Sequence, residues 1–188
     1  MSSLTPLAVA ALALLNERPM HPYEMYQLLL QRHEDHIVKV RPGSLYHTVE
    51  RLQGQSLVRV VGTEREGNRP ERTTYAITEA GYDALVAQLR EWLSTPVNEY
   101  PRFPVALAEA HNGPAALVVD DLRAYLERLD EQLAFLTDSM AEAQRCSVPE
   151  AYYIEADYLH AMKLAEREWI THLITRIETK DLEWQPRH

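Results

Sequence analysis

Residues 44–51 read Ser-Leu-Tyr-His-Thr-Val-Glu-Arg, which places hydroxyls, an imidazole and a guanidinium within about two helical turns. Ser44 and His47 lie close enough on a helix to suggest a nucleophile and its base. No orienting acid or oxyanion-hole signature accompanies them, and no Gly-rich phosphate loop occurs in the chain. An enzyme is therefore not expected, and neither is a cofactor. His33 and His36, with Glu34 and Asp35 between them, hint at a metal site. They do not form the HExxH pattern, a pair at i, i+3 in a polar link is more often solvated, and the ligand set is incomplete. No metal is expected. Recognition of duplex DNA is the chemistry that 44–51 fits best. Leu45, Val49 and Leu52 form a narrow apolar stripe, while Ser44, His47, Thr48 and Arg51 fall opposite it and offer donors and acceptors to a major groove.

Such a helix needs elements that hold it. Leu4 to Leu15 is Ala- and Leu-rich, with Thr5-Pro6 at its start, and reads as a core helix apolar nearly all round. A second helix begins at His21-Pro22 and runs to about Arg32, with Met25, Leu28 and Leu29 on one face. After the polar link come Ile37 to Arg41 and Pro42-Gly43-Ser44, where Gly43 or Ser44 is expected to cap the third helix. Two strand-like runs follow, 57–61 and 73–78. The polar loop between them holds Gly67-Asn68 and the arginines Arg65, Arg69 and Arg72. Asn68, Arg69 and Arg72 are expected to work as a wing whose tip reaches phosphates or the adjacent minor groove. Thr78-Glu79-Ala80-Gly81 opens a fourth helix carrying Tyr82, Leu85, Val86, Leu89, Trp92 and Leu93. Three helices, a hairpin and a helix in this order make a winged helix-turn-helix.

Charge agrees locally rather than globally. The net charge is −9, which opposes nucleic-acid binding. Residues 1–95 carry ten Lys/Arg against eleven Asp/Glu, a net −1, and residues 96–188 carry nine against seventeen, a net −8. Between Lys39 and Arg72 seven basic residues face four acids, a local +3 that includes Lys39, Arg41 and Arg51. A basic patch on an acidic protein limits non-specific adhesion to DNA. Tyr46 reads equally as a packing residue or as a phosphate contact through its hydroxyl. Arg51 has Glu50 and Asp35 as alternative partners to phosphate, and the wing arginines have Glu64, Glu66 and Glu71.

Several of these runs resemble the PadR family of transcriptional regulators. Gly43-Ser44-Leu45-Tyr46 with Arg51-Leu52 is similar to that family's recognition-helix signature, and Arg72 to Gly81 to its second wing strand and following helix start. His21-Pro22-Tyr23-Glu24 resembles its second-helix start. The resemblance covers roughly residues 4–93. His47 departs from it where a proline is common, and Ser56 where a glycine usually precedes the first wing strand. The resemblance implies a homodimeric repressor released by a small molecule, and a helical C-terminal dimerisation region.

The second half begins after a break at Ser94 to Phe103, marked by Pro96, Pro101 and Pro104. A short helix is expected at Val105 to His111. Beyond Asn112-Gly113-Pro114, Leu122, Leu126, Leu129, Leu133, Leu136 and Met140 alternate at spacings of four and three, a heptad seam. A last helix is expected from about Glu150 to Lys180, with Tyr152, Leu159, Met162, Trp169, Leu173, Ile174 and Ile177 on its apolar face. The aromatics Tyr152, Tyr153, Tyr158 and Trp169 read as core, the alternative being the lining of a small aromatic effector's cavity. Two long helices alone bury little surface unless they pack on the winged domain and on a copy of themselves, so dimerisation through this segment is the economical reading.

The expected fold is thus mainly α with a small β-hairpin: a winged helix-turn-helix over 1–93 and a helical dimerisation domain over 94–188. The apolar run Leu7 to Leu15 is too short to span a bilayer and lacks a preceding basic region, so no signal peptide or membrane anchor is expected. The single cysteine, Cys146, excludes an intramolecular disulfide and fits a cytoplasmic protein. The expected partner is double-stranded DNA with a palindromic operator. The alternative is a winged module that binds protein through its acidic half.

Overall fold

The computed structural model of the chain describes residues 3–64 and 72–184. It divides into two compact units, Met1–Asn98 and Glu99–His188, with the boundary inside the proline-marked stretch. Among the described residues the fold is mostly helical, with one two-stranded antiparallel hairpin.

The first unit is built on α1 (Pro6–Glu17), capped by the Thr5 hydroxyl and started by Pro6. Seven of its residues are buried, among them Ala8, Ala11, Leu12 and Leu15, as an all-round apolar helix requires. Helix α2 (Pro22–Gln31) packs Met25 and Leu29 into the same core and is tied to α1 by the paired contacts of Arg32 with Glu17, at 2.5 and 2.8 Å. A 3-10 turn at Glu34–His36 leads to α3 (Pro42–Gly54). The third helix starts two to three residues earlier than a cap at Gly43 or Ser44 would have it. Arg41 holds the cap position without a side-chain cap, and Pro42 begins the helix, because its fixed φ suits a first turn that needs no N–H.

Strands β1 (Val58–Glu64) and β2 (Arg72–Ile77) pair from Val58↔Ile77 to Glu64↔Arg72, with a register shift between Val60 and Gly62. Met20 adds a bridge to Tyr75 by two backbone hydrogen bonds of 3.0 and 3.1 Å, so the hairpin is anchored to the segment between α1 and α2. The expected tip residues, Gly67-Asn68 with Arg65 and Arg69, lie outside the described residues. Helix α4 (Glu79–Ser94) is capped by Thr78, whose hydroxyl accepts from the Gly81 N–H and donates to the Leu57 carbonyl at 3.0 Å. Its apolar spacing does not translate into burial. Leu85 is buried, but Tyr82, Leu89 and Trp92 are exposed and Leu93 is 87% exposed.

The second unit holds α5 (Arg102–Glu109), α6 (Ala115–Arg145) and α7 (Ile154–Glu178). The short helix expected from Val105 begins three residues earlier and continues into a 3-10 turn at Ala110–Asn112. Helices α6 and α7 pack antiparallel, as the contacts Arg123–Glu178, Asp130–Arg167 and Thr137–His160 show. Leu122, Leu129, Leu133 and Leu136 of the heptad seam are buried within the single chain, with Leu126 and Met140 partly so. Ile170, Ile174 and Ile177 line the facing helix, and Ile170 was not among the residues expected there. The expectation that the C-terminal aromatics are core fails for most of them. Tyr152 is 77% exposed, Tyr158 and Trp169 are also exposed, and only Tyr153 is partly buried. The isoleucines satisfy α6, which leaves those rings on the outside of the hairpin. Phe103 stacks on Tyr125 with centroids 4.4 Å apart, and the Tyr125 hydroxyl donates to Glu166 at 2.8 Å. No described helix is long and apolar enough to cross a membrane.

Candidate nucleic-acid interface

Helix α3 packs against α1 and α2 through Leu45, Val49 and Leu52, all fully buried. Burying that stripe turns the other side of the helix outward. Ser44 and His47 are exposed there, with 85% of the His47 side chain in solvent. Its Nδ1 lies 3.3 Å from Glu50. Thr48 departs from the expected face. It is only 8% exposed, and its hydroxyl donates to the Ser44 carbonyl at 2.8 Å. Thr48 follows Ser44 by one turn and sits on the boundary of the apolar stripe, so the side chain is buried while its hydroxyl is satisfied by the backbone. Buried in this way, Thr48 does not share the outward edge of α3 with Ser44 and His47.

Arg51 is exposed but pairs with neither Glu50 nor Asp35 among the described residues. Its guanidinium donates to Thr5 Oγ1 at 3.2 Å, the same oxygen that caps α1. Lys39 and Arg41 are both exposed on the segment entering α3. Arg72 opens β2 and is exposed. Asn68 and Arg69, like Arg65, fall outside the described residues.

Tyr46 is 37% exposed, and its ring meets His21 edge to face with centroids 5.9 Å apart. The ring contact shows its packing role, and part of the residue remains exposed. His21 was noted in the sequence only as part of a helix start. It is the N-cap of α2, where its Nδ1 accepts from the Tyr23 N–H at 3.0 Å. Partial burial, followed by the charge of Arg72, holds its imidazole below the ordinary histidine value, with Glu24 opposing. The neutral ring thus joins the start of α2, Tyr46 of α3 and the electrostatic field of Arg72. A histidine before Pro-Tyr-Glu was the signal in the sequence, but capping by an imidazole is not a standard residue preference.

The resulting surface carries an outward helix edge, two cations on its approach and a β-arm anchored beside the core. Its chemistry is donation and acceptance toward a groove, with guanidinium and ammonium groups available to phosphates. Residues 11–87 match the model of the family described as "Transcriptional regulator PadR-like family". Over these residues the chain is similar to that family. They contain the whole of α2, α3 and the described hairpin, and most of α1 and α4.

Solved structures extend the fold likeness beyond residues 11–87. PadR of Bacillus subtilis in complex with operator DNA matches with a TM-score of 0.78 at 16% identity, covering 92% of this chain and 99% of that one. The same protein in complex with p-coumaric acid matches with a TM-score of 0.73 at 13% identity, covering 94% and 99%. The PadR-like transcriptional regulator BC1756 from Bacillus cereus matches with a TM-score of 0.66 at 17% identity, covering 93% and 99%. At these identities the likeness establishes a shared winged-helix fold with a helical C-terminal part. No curated protein matches the chain.

Proposed function

We propose that this PadR-like chain is a sequence-specific DNA-binding repressor that acts as a homodimer and is released from its operator by a small aromatic molecule. The observation that carries the reading is the outward edge of α3, with Ser44, His47 and Arg51 exposed opposite a fully buried Leu45, Val49 and Leu52. In this reading Ser44, His47 and Arg51 reach base edges or adjacent phosphates. The Tyr46 hydroxyl, Lys39, Arg41 and Arg72 grip the backbone, and Asn68 and Arg69 do so from the arm tip on the evidence of sequence alone. B. subtilis PadR has been solved with operator DNA and with p-coumaric acid, which supports the choice of partner and of effector class. Pairing through the C-terminal helices is supported by Ile154, Tyr158, Met162, Leu164 and Trp169, which leave much apolar surface of α7 exposed in a single chain. A chromosomal target puts the protein in the cytoplasm, and the reading assigns it no catalysis.

Gel-shift titration against DNA upstream of the protein's own gene tests this reading. A retarded species should form at a (pseudo)palindromic site with half-sites about one helical turn apart or a multiple of it. Binding should weaken steeply with salt as condensed counterions are released. Equal affinity for unrelated DNA at every salt concentration would count decisively against it. A second reading, a winged module that binds protein, is favoured by the net −8 of residues 96–188. Stable capture of a protein partner by a chain that retains no DNA would establish it instead.

A further inference from the structure

The turn between α2 and α3 gathers three potential metal ligands that the sequence spacing alone left incomplete. His33 adopts left-handed backbone angles, φ 58° and ψ 22°, at the start of the 3-10 turn Glu34–His36. The backbone there is closed by hydrogen bonds from His33 N–H to Leu30, from His36 N–H to His33 and from Ile37 N–H to Glu34, at 3.0 to 3.1 Å. That tight turn brings the His33 and His36 rings to 6.2 Å between centroids, edge to face. One ligand atom each from His33, Asp35 and His36 lies within 4.8 Å of the other two.

We propose that His33, Asp35 and His36 bind one divalent transition-metal ion of the class that accepts imidazole and carboxylate ligands, represented by Zn2+. Four-coordinate zinc holds nitrogen and oxygen ligands at about 2.0–2.2 Å, which sets them about 3.4 Å apart. The three atoms already lie within 4.8 Å of one another, and all three residues are exposed to solvent. Two neutral imidazoles and one carboxylate against a dication give a net +1 where Asp35 alone contributes −1. Water completes the shell on the solvent side, so the site is an open one. Imidazole nitrogen with carboxylate oxygen favours zinc, nickel, copper or cobalt over magnesium or calcium, which prefer oxygen ligands throughout. The ion would clasp the end of α2 to the segment that enters α3. This inference is independent of whether the protein binds DNA.

Isothermal titration of Zn2+ into the full-length chain, first freed of metal with a chelator, tests the proposal. Wild type should take up one ion per chain at this site. The double variant His33→Ala/His36→Ala should lose at least tenfold in affinity, and Asp35→Asn severalfold. His172→Ala, an exposed histidine on α7, should bind as wild type does. Circular dichroism establishes that each variant is folded, and Co2+ substitution should give visible d–d absorption in wild type that the double variant lacks. No uptake by wild type, or equal uptake by the folded double variant, would overturn it.

Discussion

The rings of His21 and Tyr46 meet edge to face, 5.9 Å between centroids and at 76° between planes, which links the first turn of α2 to the exposed edge of α3. Because His21 accepts the Tyr23 N–H through Nδ1, the cap requires an unprotonated nitrogen there. Burial and Arg72 lower the affinity of this imidazole for a proton. The unfolded chain therefore takes up the proton first, from its ordinary value of 6.5 downward. The stability that His21 contributes is complete above 6.5 and is lost as pH falls through the lower folded value. Urea midpoints at about pH 7.5 and about pH 5 should fall further in wild type than in His21→Asn, which keeps a capping acceptor that does not titrate.

Thr5 Oγ1 serves two donors, the Ala8 N–H at 3.3 Å and the Arg51 guanidinium at 3.2 Å. Thr5→Ala should cost about 1 kcal/mol of stability through the lost cap. Arg51→Ala removes an exposed side chain and should leave stability within about 0.5 kcal/mol of wild type. Under the proposed function it should weaken operator binding by roughly 1–3 kcal/mol if Arg51 contacts a base, or reduce the salt dependence if it contacts phosphate. Denaturant melts and gel shifts on the same two variants separate these effects.

Gly81 has no room for a side chain. An added Cβ would lie 2.0 Å from the Leu57 carbonyl oxygen and 2.9 Å from Ile77 Cγ1. The close approach of α4 to the entrance of β1 is what the glycine after Thr78 makes possible. Gly81→Ala should destabilise the first unit by about 3 kcal/mol through forced backbone movement, measurable as a lower thermal midpoint.

Ser56 is the reverse case, a residue with a Cβ at φ 60° where glycine sits without strain. Its carbonyl shares the Thr78 hydroxyl proton with the Leu57 carbonyl, at 2.8 and 3.0 Å, and its N–H donates to the Gln53 carbonyl, so the turn is held despite the strain. Ser56→Gly should stabilise by about 0.5–1 kcal/mol, the left-handed cost relieved minus the added freedom of the unfolded chain. A rise of a few degrees in thermal midpoint is the expected reading.

Burial, then the hydrogen bond to Glu166, pushes the Tyr125 phenol up to about 12. In an ultraviolet absorbance titration it should ionise later than a tyrosine at the ordinary 10.0, and the late step should vanish in Tyr125→Phe. The folded state keeps this proton after the unfolded state has lost it, so the contribution to stability is whole below 10 and declines from there to about 12.

The order of elements was legible because each has a local cause: Pro6 and Pro22 inside helix starts, Thr78 as a cap, and two strand-like runs on either side of a polar loop. The outward edge of α3 was legible too, apart from Thr48, which counting by helical face put on the wrong side of a narrow stripe. What sequence spacing could not distinguish was which of several apolar faces the chain would cover. For the last helix it marked Tyr152, Met162 and Trp169 together with Ile174 and Ile177; Tyr152 falls before α7, and of these five only the isoleucines are buried. Helical periodicity records that a face is apolar and not which neighbour covers it. Roles that depend on close approach, such as those of His21 and Thr5 beside α3, leave no periodic trace at all.

Burial of Leu129 and Leu133 inside one polypeptide makes their contribution a unimolecular one. Truncating either should lower the unfolding midpoint by the same amount in dilute and in concentrated solution, whereas a zipper shared between two molecules would obey mass action. The long helix thus acts first as internal ballast for its own hairpin, and assembly must draw on surface that this leucine ladder does not occupy.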